Sequence, residues 1–428
     1  MPQDWGRLRI ALLVYRGNPH SGGQGVYTRH LARALVGMGH RVEVLAGQPY
    51  PELDQGVDFT AVPSLDMYRP DDPFRVPHPR EFRDWIDVLE YATVCTAAFP
   101  EPLTFSLRAR RLLKQRLDDF DIVHDNQCLG YGILDIQRAG FPVIATIHHP
   151  ITVDRDLEFA HATSLRRKVS MHRFYSFTRM QVRVARQIPR LITVSDNSRR
   201  DLKEEMGIEL DKLAVVPVGV DHEVFRPMPE VARVPGRILA MASADVPLKG
   251  VRPLLEAVAR LRSRRQVELV VVSRPREGSD TPAYVRKLGL EDAVRFVNGI
   301  TEEELVRHYA EAEVAVVPSL YEGFSLPAVQ AMAAGLPLVA TTAGALPEVI
   351  GRDGEHGLLV APGDSEALAV ALDRALGDPA LRDRLADAAR ARALTRYSWE
   401  ATAAATVEQY RILLDSRRPS PVARPVEA

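Results

Sequence analysis

Short unbroken apolar runs alternate along the chain with stretches whose apolar residues recur at helical spacing, the pattern of parallel sheets covered by helices. Ile10–Val14 is the first run. It is followed by a loop carrying Ser21-Gly22-Gly23, a helix from about Gln24 to Leu35, a Gly39-His40 turn and a strand from Arg41 to Leu45. Ile122–His124, Val143–Ile147 and Leu191–Val194 continue the series. A second series begins at Arg237–Met241 and runs through Val267–Val272, Val294–Val297, Val314–Val317 and Leu338–Thr341. Phe225-Arg226-Pro227-Met228-Pro229 divides the two, because paired prolines interrupt regular structure. The pattern predicts an α/β chain of two doubly wound domains, 1–225 and 226–396. A last helix over 397–415, capped by Ser398, and a tail over 416–428, whose Arg, Pro and Ser content predicts disorder, complete it.

Composition narrows the class. A length of 428 residues, with 46% hydrophobic and 26% charged, suits two globular domains better than one. The formal net charge of -1 argues against a general nucleic-acid binder, whose footprint is a strong basic excess. Cys95 and Cys128 are too few for a disulfide scaffold or a cysteine-rich metal site. Met1–Arg9 is charged and followed by only a short apolar run, and no segment has the length of a membrane span. The expectation is a cytoplasmic enzyme.

The stretch Pro318–Gly335 carries the sharpest chemical signal. It follows the strand Val314–Val317 and opens a short helix, so Glu322 stands on a loop at a strand's carboxyl end beside free backbone N–H groups. Ser325 as N-cap and Pro327 in the first turn would turn the amides around Phe324, Ser325 and Leu326 outward as an anion seat. A capped helix in any α/β protein reads the same way. Elsewhere, Gly22 and Gly23 lie between a strand and a helix, where backbone can approach a phosphate or a sugar ring, although turns use such pairs constantly. Lys249 precedes Gly250 and a helix near Pro253. Asp125 and Asn126 follow the strand at Ile122, on the rim where parallel sheets bind ligands, and are candidates for acceptor binding.

Taken in order, these motifs resemble those of the retaining glycosyltransferases of family 4, which have the GT-B fold. The resemblance rests on Gly22-Gly23, Gly39-His40-Arg41-Val42-Glu43-Val44, Ala145-Thr146-Ile147-His148 and Val216-Pro217-Val218-Gly219-Val220-Asp221. It continues through Lys249-Gly250, the Glu322 segment, Pro347-Glu348-Val349 and Gly357-Leu358-Leu359-Val360 with Pro362-Gly363-Asp364. It implies two Rossmann-like domains facing across a cleft, the first binding the acceptor and the second the nucleotide sugar, with the C-terminal helix crossing back to the first. It also implies metal-independent transfer from a nucleotide-sugar co-substrate, with no prosthetic group; family frequency favours a UDP-sugar over a GDP- or ADP-sugar.

By the same resemblance Lys249 contacts the diphosphate, Glu322 accepts hydrogen bonds from donor-sugar hydroxyls and His148 touches the donor sugar. The family arginine a few residues before the lysine is missing from Met241-Ala242-Ser243-Ala244-Asp245, and Arg274 is a candidate to approach its place. The place of the second glutamate of the family signature is taken by Gln330, which implies ribose contact through an amide oxygen instead of a carboxylate. Ala345 replaces the second glycine of the Gly344 loop.

The acceptor is left open among a small molecule, a glycan and a lipid-linked compound. Between His161 and Arg190 stand eight Lys or Arg residues and no Asp or Glu, interleaved with Met171, Phe174, Tyr175, Phe177 and Met180. Three readings fit: a peripheral contact with anionic membrane at its inner face, a seat for a phosphorylated acceptor, or a solvated helix over the core. The Pro-, Asp- and Arg-rich segment from Tyr68 to Trp85 is a further candidate for an acceptor loop. Two other functions stay in view, a sugar-phosphate or trehalose-type synthase and a catalytically weakened sugar-nucleotide-binding protein.

Overall fold

The computed structural model describes residues 6–18, 23–69, 72, 74–161 and 164–417. Gly22 and the tail beyond Arg417 lie outside the described residues. The chain divides into two compact units: one takes the residues up to Val194, Arg199–Val216 and the chain from Thr402, the other Ser195–Ser198 and Pro217–Ala401.

The first unit is a parallel sheet of β1 (Arg9–Val14), β2 (Arg41–Ala46), β3 (Asp58–Ala61), β4 (Ile122–Asn126), β5 (Val143–Ile147), β6 (Arg190–Thr193) and β7 (Leu213–Val215), in the order β3-β2-β1-β4-β5-β6-β7. Register is tight at its centre, with Leu12 opposite both Val44 and His124. Leu12, Leu13, Val44 and Ile144 are fully buried, and each such side chain contributes about 2 kcal/mol by leaving water. The helix Gln24–Gly37 returns the chain from β1 to β2 and buries Tyr27, Leu31 and Leu35. Neither β3 nor β7 announces itself as an apolar run. The Asp58-Phe59-Thr60-Ala61 sequence of β3 lies at the sheet edge with little burial, and β7 is only Leu213-Ala214-Val215.

The second unit repeats the plan with β8 (Arg237–Ala240), β9 (Glu268–Val272), β10 (Val294–Val297), β11 (Val314–Val317), β12 (Leu338–Thr341) and β13 (Leu358–Val360), ordered β10-β9-β8-β11-β12-β13 and parallel throughout. In each unit the strand order reverses beside the first strand, between β1 and β4 and between β8 and β11. The carboxyl edge at such a reversal is the place where doubly wound sheets bind ligands.

The final helix, Trp399–Ser416, starts in the second unit and continues into the first. The Ser398 hydroxyl caps it by accepting from Ala401 N at 3.0 Å. Further along, Tyr410 is fully buried in the first unit, its hydroxyl 2.7 Å from His124 Nδ1, and the other ring nitrogen of His124 lies 2.7 Å from Thr146 Oγ1. In the basic segment, the Phe177–Ala185 helix buries Phe177, Met180 and Val184, which is the solvated-helix arrangement. The Leu165–Phe174 helix buries only Met171 and leaves Leu165 79% and Val169 49% exposed. No helix among the described residues is long and apolar enough to cross a membrane.

Candidate functional site

In the second unit the two loops flanking the strand-order reversal bring Lys249 and Glu322 together. The loop after β8 ends in a turn at Pro247–Lys249, and Gly250 then starts the helix Val251–Arg262. Gly250 has φ +64°, and a Cβ there would stand 1.9 Å from the Pro318 carbonyl oxygen. Only glycine lets this turn press against the loop after β11. Leu320 N donates to Leu248 O at 2.7 Å and locks the two loops together.

Lys249 Nζ consequently lies 2.8 Å from Glu322 Oε1, which also accepts the Ser319 hydroxyl at 2.7 Å. The Glu322 side chain is 10% exposed and that of Lys249 35%, so the carboxylate is sheltered while the ammonium still reaches solvent. From the other side Ala345 N donates to Glu322 O at 2.9 Å, and a Cβ on Gly344 would meet that oxygen at 2.2 Å. The glycine of this loop is thus required by close packing, whereas Ala345 is accommodated and fully buried.

Ser325 adopts φ +90°, a conformation that a residue with a side chain holds at a cost, and its hydroxyl accepts from Ala328 N at 3.4 Å as cap of the Leu326–Ala333 helix. Strain at a loop-to-helix junction carrying a sheltered carboxylate is typical of binding sites. Phe324 is buried edge-on against Tyr397, with ring centroids 5.7 Å apart. Its carbonyl neighbour Gly323 O receives the hydroxyls of Ser195 at 2.6 Å and Ser198 at 3.1 Å. Gln330, half-buried within the helix, accepts the Tyr309 hydroxyl at 3.2 Å through Oε1.

The stretch where the family arginine is missing is tied to the loop that carries Arg274. Ala244 N donates to the Ser273 hydroxyl at 2.9 Å, and Asp245 accepts from Arg276 N at 2.5 Å and from the Thr281 hydroxyl at 2.8 Å. Arg274 itself is exposed on that loop, next to Ser273. Among the described residues no group of three or more His, Cys, Asp or Glu side chains is placed to hold a metal ion.

In the first unit Gly23, at φ +75°, starts the Gln24–Gly37 helix with Tyr27 N bonded to its carbonyl at 2.9 Å. His148 follows β5 and is held from three directions. Its backbone N donates to Gln127 Oε1 at 2.8 Å, its ring meets Tyr27 edge-on at 4.7 Å, and Nε2 lies 2.8 Å from Asn126 Oδ1. Since Asn126 Nδ2 donates to Thr28 Oγ1 at 3.0 Å, the Asn126 oxygen is the acceptor and His148 Nε2 carries the hydrogen. Burial and then the neighbouring His149 push the pKa of His148 down to about 3, so the ring is neutral near pH 7.

Asp125 departs from the expected role in acceptor binding. It is the penultimate residue of β4, fully buried, and its carboxyl accepts from Leu129 N at 2.8 Å and Cys128 N at 3.3 Å, so it caps the turn after the strand. The apolar run at Ile122–His124 hides this, because the strand continues two polar residues further. Sequence reasoning also missed Ser319, Asn126 and Tyr309 as supports of Glu322, His148 and Gln330. Ser319 stands three residues before Glu322, a spacing that a single loop can close. Tyr309 lies 21 positions from Gln330 and carries no local sign.

Residues 21–224 match the family model described as Glycosyltransferase Family 4, and residues 235–378 the model described as Glycosyl transferases group 1. The chain is 54% identical over 404 residues to the MMP alpha-(1->4)-mannosyltransferase of Mycolicibacterium hassiacum, covering 94% of this chain and 98% of that protein. It is 30% identical to the D-inositol 3-phosphate glycosyltransferase of a Nocardioides species, covering 94% and 88%. Among solved structures it resembles the sucrose-phosphate synthase of Thermosynechococcus elongatus, with TM-score 0.73, 24% identity and coverage of 96% and 100%. It also resembles Anabaena Alr3699/HepE in complex with UDP-glucose, with TM-score 0.68, 18% identity and coverage of 96% and 100%.

Proposed function

We infer the reaction from membership: the chain belongs to glycosyltransferase family 4, has the GT-B fold and is a nucleotide-sugar-dependent glycosyltransferase. The reaction proposed is retaining transfer of a mannosyl group from a nucleoside-diphosphate donor to the 4-hydroxyl of an acceptor sugar. The α-(1→4)-mannosyl specificity is supported by the 54% identity, over nearly the full length of both chains, to the mannosyltransferase above. UDP-sugars lead the candidate donors, supported by the UDP and UDP-glucose complexes of HepE.

The observation that carries the catalytic reading is the Lys249–Glu322 pair, 2.8 Å apart at the carboxyl edge of β8 and β11. Such a pair serves both ends of a nucleotide sugar. The Glu322 carboxylate accepts hydroxyls of the donor sugar, and the Lys249 ammonium stabilises negative charge on the departing phosphate, aided by the amides of Phe324, Ser325 and Leu326. Gln330, held by Tyr309, offers its amide to the ribose, and Arg274 adds positive charge beside Ala244 and Asp245. Gly23 and neutral His148 are assigned to the sugar; Gly22 carries the same role by resemblance. In the step itself the bond from the anomeric carbon to the phosphate oxygen breaks while the acceptor oxygen bonds to the same face of that carbon. The acceptor proton passes to the leaving phosphate oxygen, so no second catalytic carboxylate is required.

The test is a thermal-shift screen of the protein with UDP-, GDP- and ADP-hexoses, followed by NMR of the product formed with mannose oligosaccharides. An α-(1→4)-mannosyl linkage and acceptor-dependent release of nucleoside diphosphate are expected. Another sugar or linkage would refute the specificity. A separate observation favours a peripheral role for the Leu165–Phe174 helix, whose exposed Leu165 and Val169 stand among exposed Arg166, Arg167, Lys168 and Arg173. Co-sedimentation with phosphatidylglycerol vesicles checks it, and binding no stronger than to neutral vesicles would reject it.

A further inference from the structure

The first unit pairs most of its sheltered acids closely. Glu43 meets Arg116 at 2.7 and 2.8 Å, Asp87 meets Arg108 at 2.6 Å and Arg83 at 2.8 Å, and Glu90 meets Arg108 at 2.5 Å. Glu101 is an exception. Its side chain is only 11% exposed, yet it meets Arg16 at 3.5 Å, the outer limit of a hydrogen bond. Burial raises its pKa to about 8, against the attraction of Arg16. A sheltered carboxyl so weakly satisfied calls for a reason, and binding sites are where such groups collect.

Its surroundings supply one. Arg16 stands two residues beyond the carboxyl end of β1, beside the strand-order reversal of this unit. Next to it in the chain, Tyr15 directs its hydroxyl towards the side chain of Gln24, the first residue of the helix that Gly23 opens. Tyr68 is half-buried, its hydroxyl 3.5 Å from Ala98 O, and the Glu101 carboxylate adds to the burial that raises the pKa of both tyrosines. Phe99 is partly buried and packs against the core, its ring centroid 5.2 Å from Phe177, 5.4 Å from Phe174, 5.3 Å from Tyr68 and 6.4 Å from Tyr15. A weakly used carboxyl, a guanidinium, a phenol and a partly open aromatic ring are thus gathered at one strand end.

We propose that Arg16, Tyr68, Phe99 and Glu101 form a seat for one pyranose ring of the acceptor. A pyranose presents hydroxyls that both give and take hydrogen bonds together with apolar C–H faces. The Glu101 carboxyl accepts a hydrogen bond from one ring hydroxyl, Arg16 and Tyr68 donate to ring substituents, and the C–H face covers Phe99. The seat lies wholly in the first unit. It rests on the reading that the acceptor is a sugar, and it names residues that the resemblance does not mark.

The test uses the full chain with Glu101→Gln and Tyr68→Phe, an α-(1→4)-linked mannotriose as acceptor probe, and free nucleoside diphosphate as donor-side probe. At pH 9, above the raised pKa of Glu101, loss of a charge-assisted hydrogen bond predicts a rise of about tenfold or more in acceptor KM for Glu101→Gln and a smaller rise for Tyr68→Phe. Nucleoside diphosphate Kd should be unchanged in both. A carboxyl that serves only the amino end of the Glu101–Leu113 helix would lower stability and leave acceptor KM alone, which overturns the proposal. So would equal losses on the acceptor and nucleotide sides. If Glu101→Gln does not fold, Arg16→Ala gives the same reading from a side chain 31% exposed.

Saturation-transfer NMR of mannotriose, without turnover, separates this inference from the reaction proposed above. A wild-type signal that falls in the variants supports the seat even if no transfer to mannotriose occurs. A wild-type signal that persists undiminished in the variants, or no wild-type signal, rejects it.

Discussion

Replacing Lys249 by alanine tests the assigned chemistry most directly. Before any donor binds, the Lys249 ammonium is already engaged by Glu322 at 2.8 Å, and with a third of its side chain exposed that pair is worth about 1 kcal/mol net. An arriving diphosphate must share the ammonium with Glu322, so ground-state binding gains little from it. As the glycosidic bond breaks, negative charge grows on the phosphate and the same ammonium becomes worth more; removing one such donor costs about 3 kcal/mol, or about a hundredfold in rate. Lys249→Ala should therefore lower kcat about a hundredfold while weakening nucleoside diphosphate binding less than about tenfold. It also strands the Glu322 carboxylate, 10% exposed, with the Ser319 hydroxyl as its one remaining side-chain partner among the described residues, at a stability cost of about 1–3 kcal/mol. The double change Lys249→Ala with Glu322→Gln should recover much of that stability and none of the rate. Steady-state kinetics, calorimetric titration and urea unfolding measure the three quantities. An unchanged kcat, or a Kd that rises as far as kcat falls, would refute the assignment.

Gln330→Glu should keep the Tyr309 hydroxyl as a donor and tighten nucleoside diphosphate about two- to fivefold by calorimetry; weaker binding would mean the site is built around the amide. Gly250→Ala places a Cβ 1.9 Å from Pro318 O at φ +64° and should destabilise the fold by at least about 1–3 kcal/mol, with loss of transfer read in the same preparation. His124, pushed down to about 3 by burial and then by His148, resists protonation that the unfolded chain accepts near pH 6.5. Its contribution is full above about pH 6.5 and is lost as pH falls towards 3, so the stability advantage of wild type over His124→Gln should shrink by up to about 1.4 kcal/mol per pH unit in that window. Denaturant titrations at pH 7.5, 6 and 5 check it, and subtraction cancels Asp125, whose raised pKa of about 7 acts in the opposite direction.

What the chain declares by itself is its alternation of buried strands and covering helices, because a parallel strand sheltered on both faces must be apolar almost throughout. Ile10–Val14, Val143–Ile147, Val314–Val317 and Leu338–Thr341 are legible for that reason. Edge strands such as β3 are not, since one open side removes the demand for apolar residues. The Ser325 cap and the place of Glu322 before the Leu326–Ala333 helix were local matters, settled within a few residues, and local sequence carries them. Partnership is different. That Lys249 meets Glu322 across 73 positions, that Tyr309 holds Gln330, that Asn126 sets the tautomer of His148, and that Glu101 meets Arg16 only at 3.5 Å follow from which loops the sheet order brings side by side. Asp125 makes the same point in reverse: sequence placed it on a binding rim, and the turn after β4 turned its carboxyl inward to cap backbone amides. Residue type and spacing therefore determine what each element is, whereas distances between elements, and with them the charge state and reach of each side chain, exist only once the sheets are assembled.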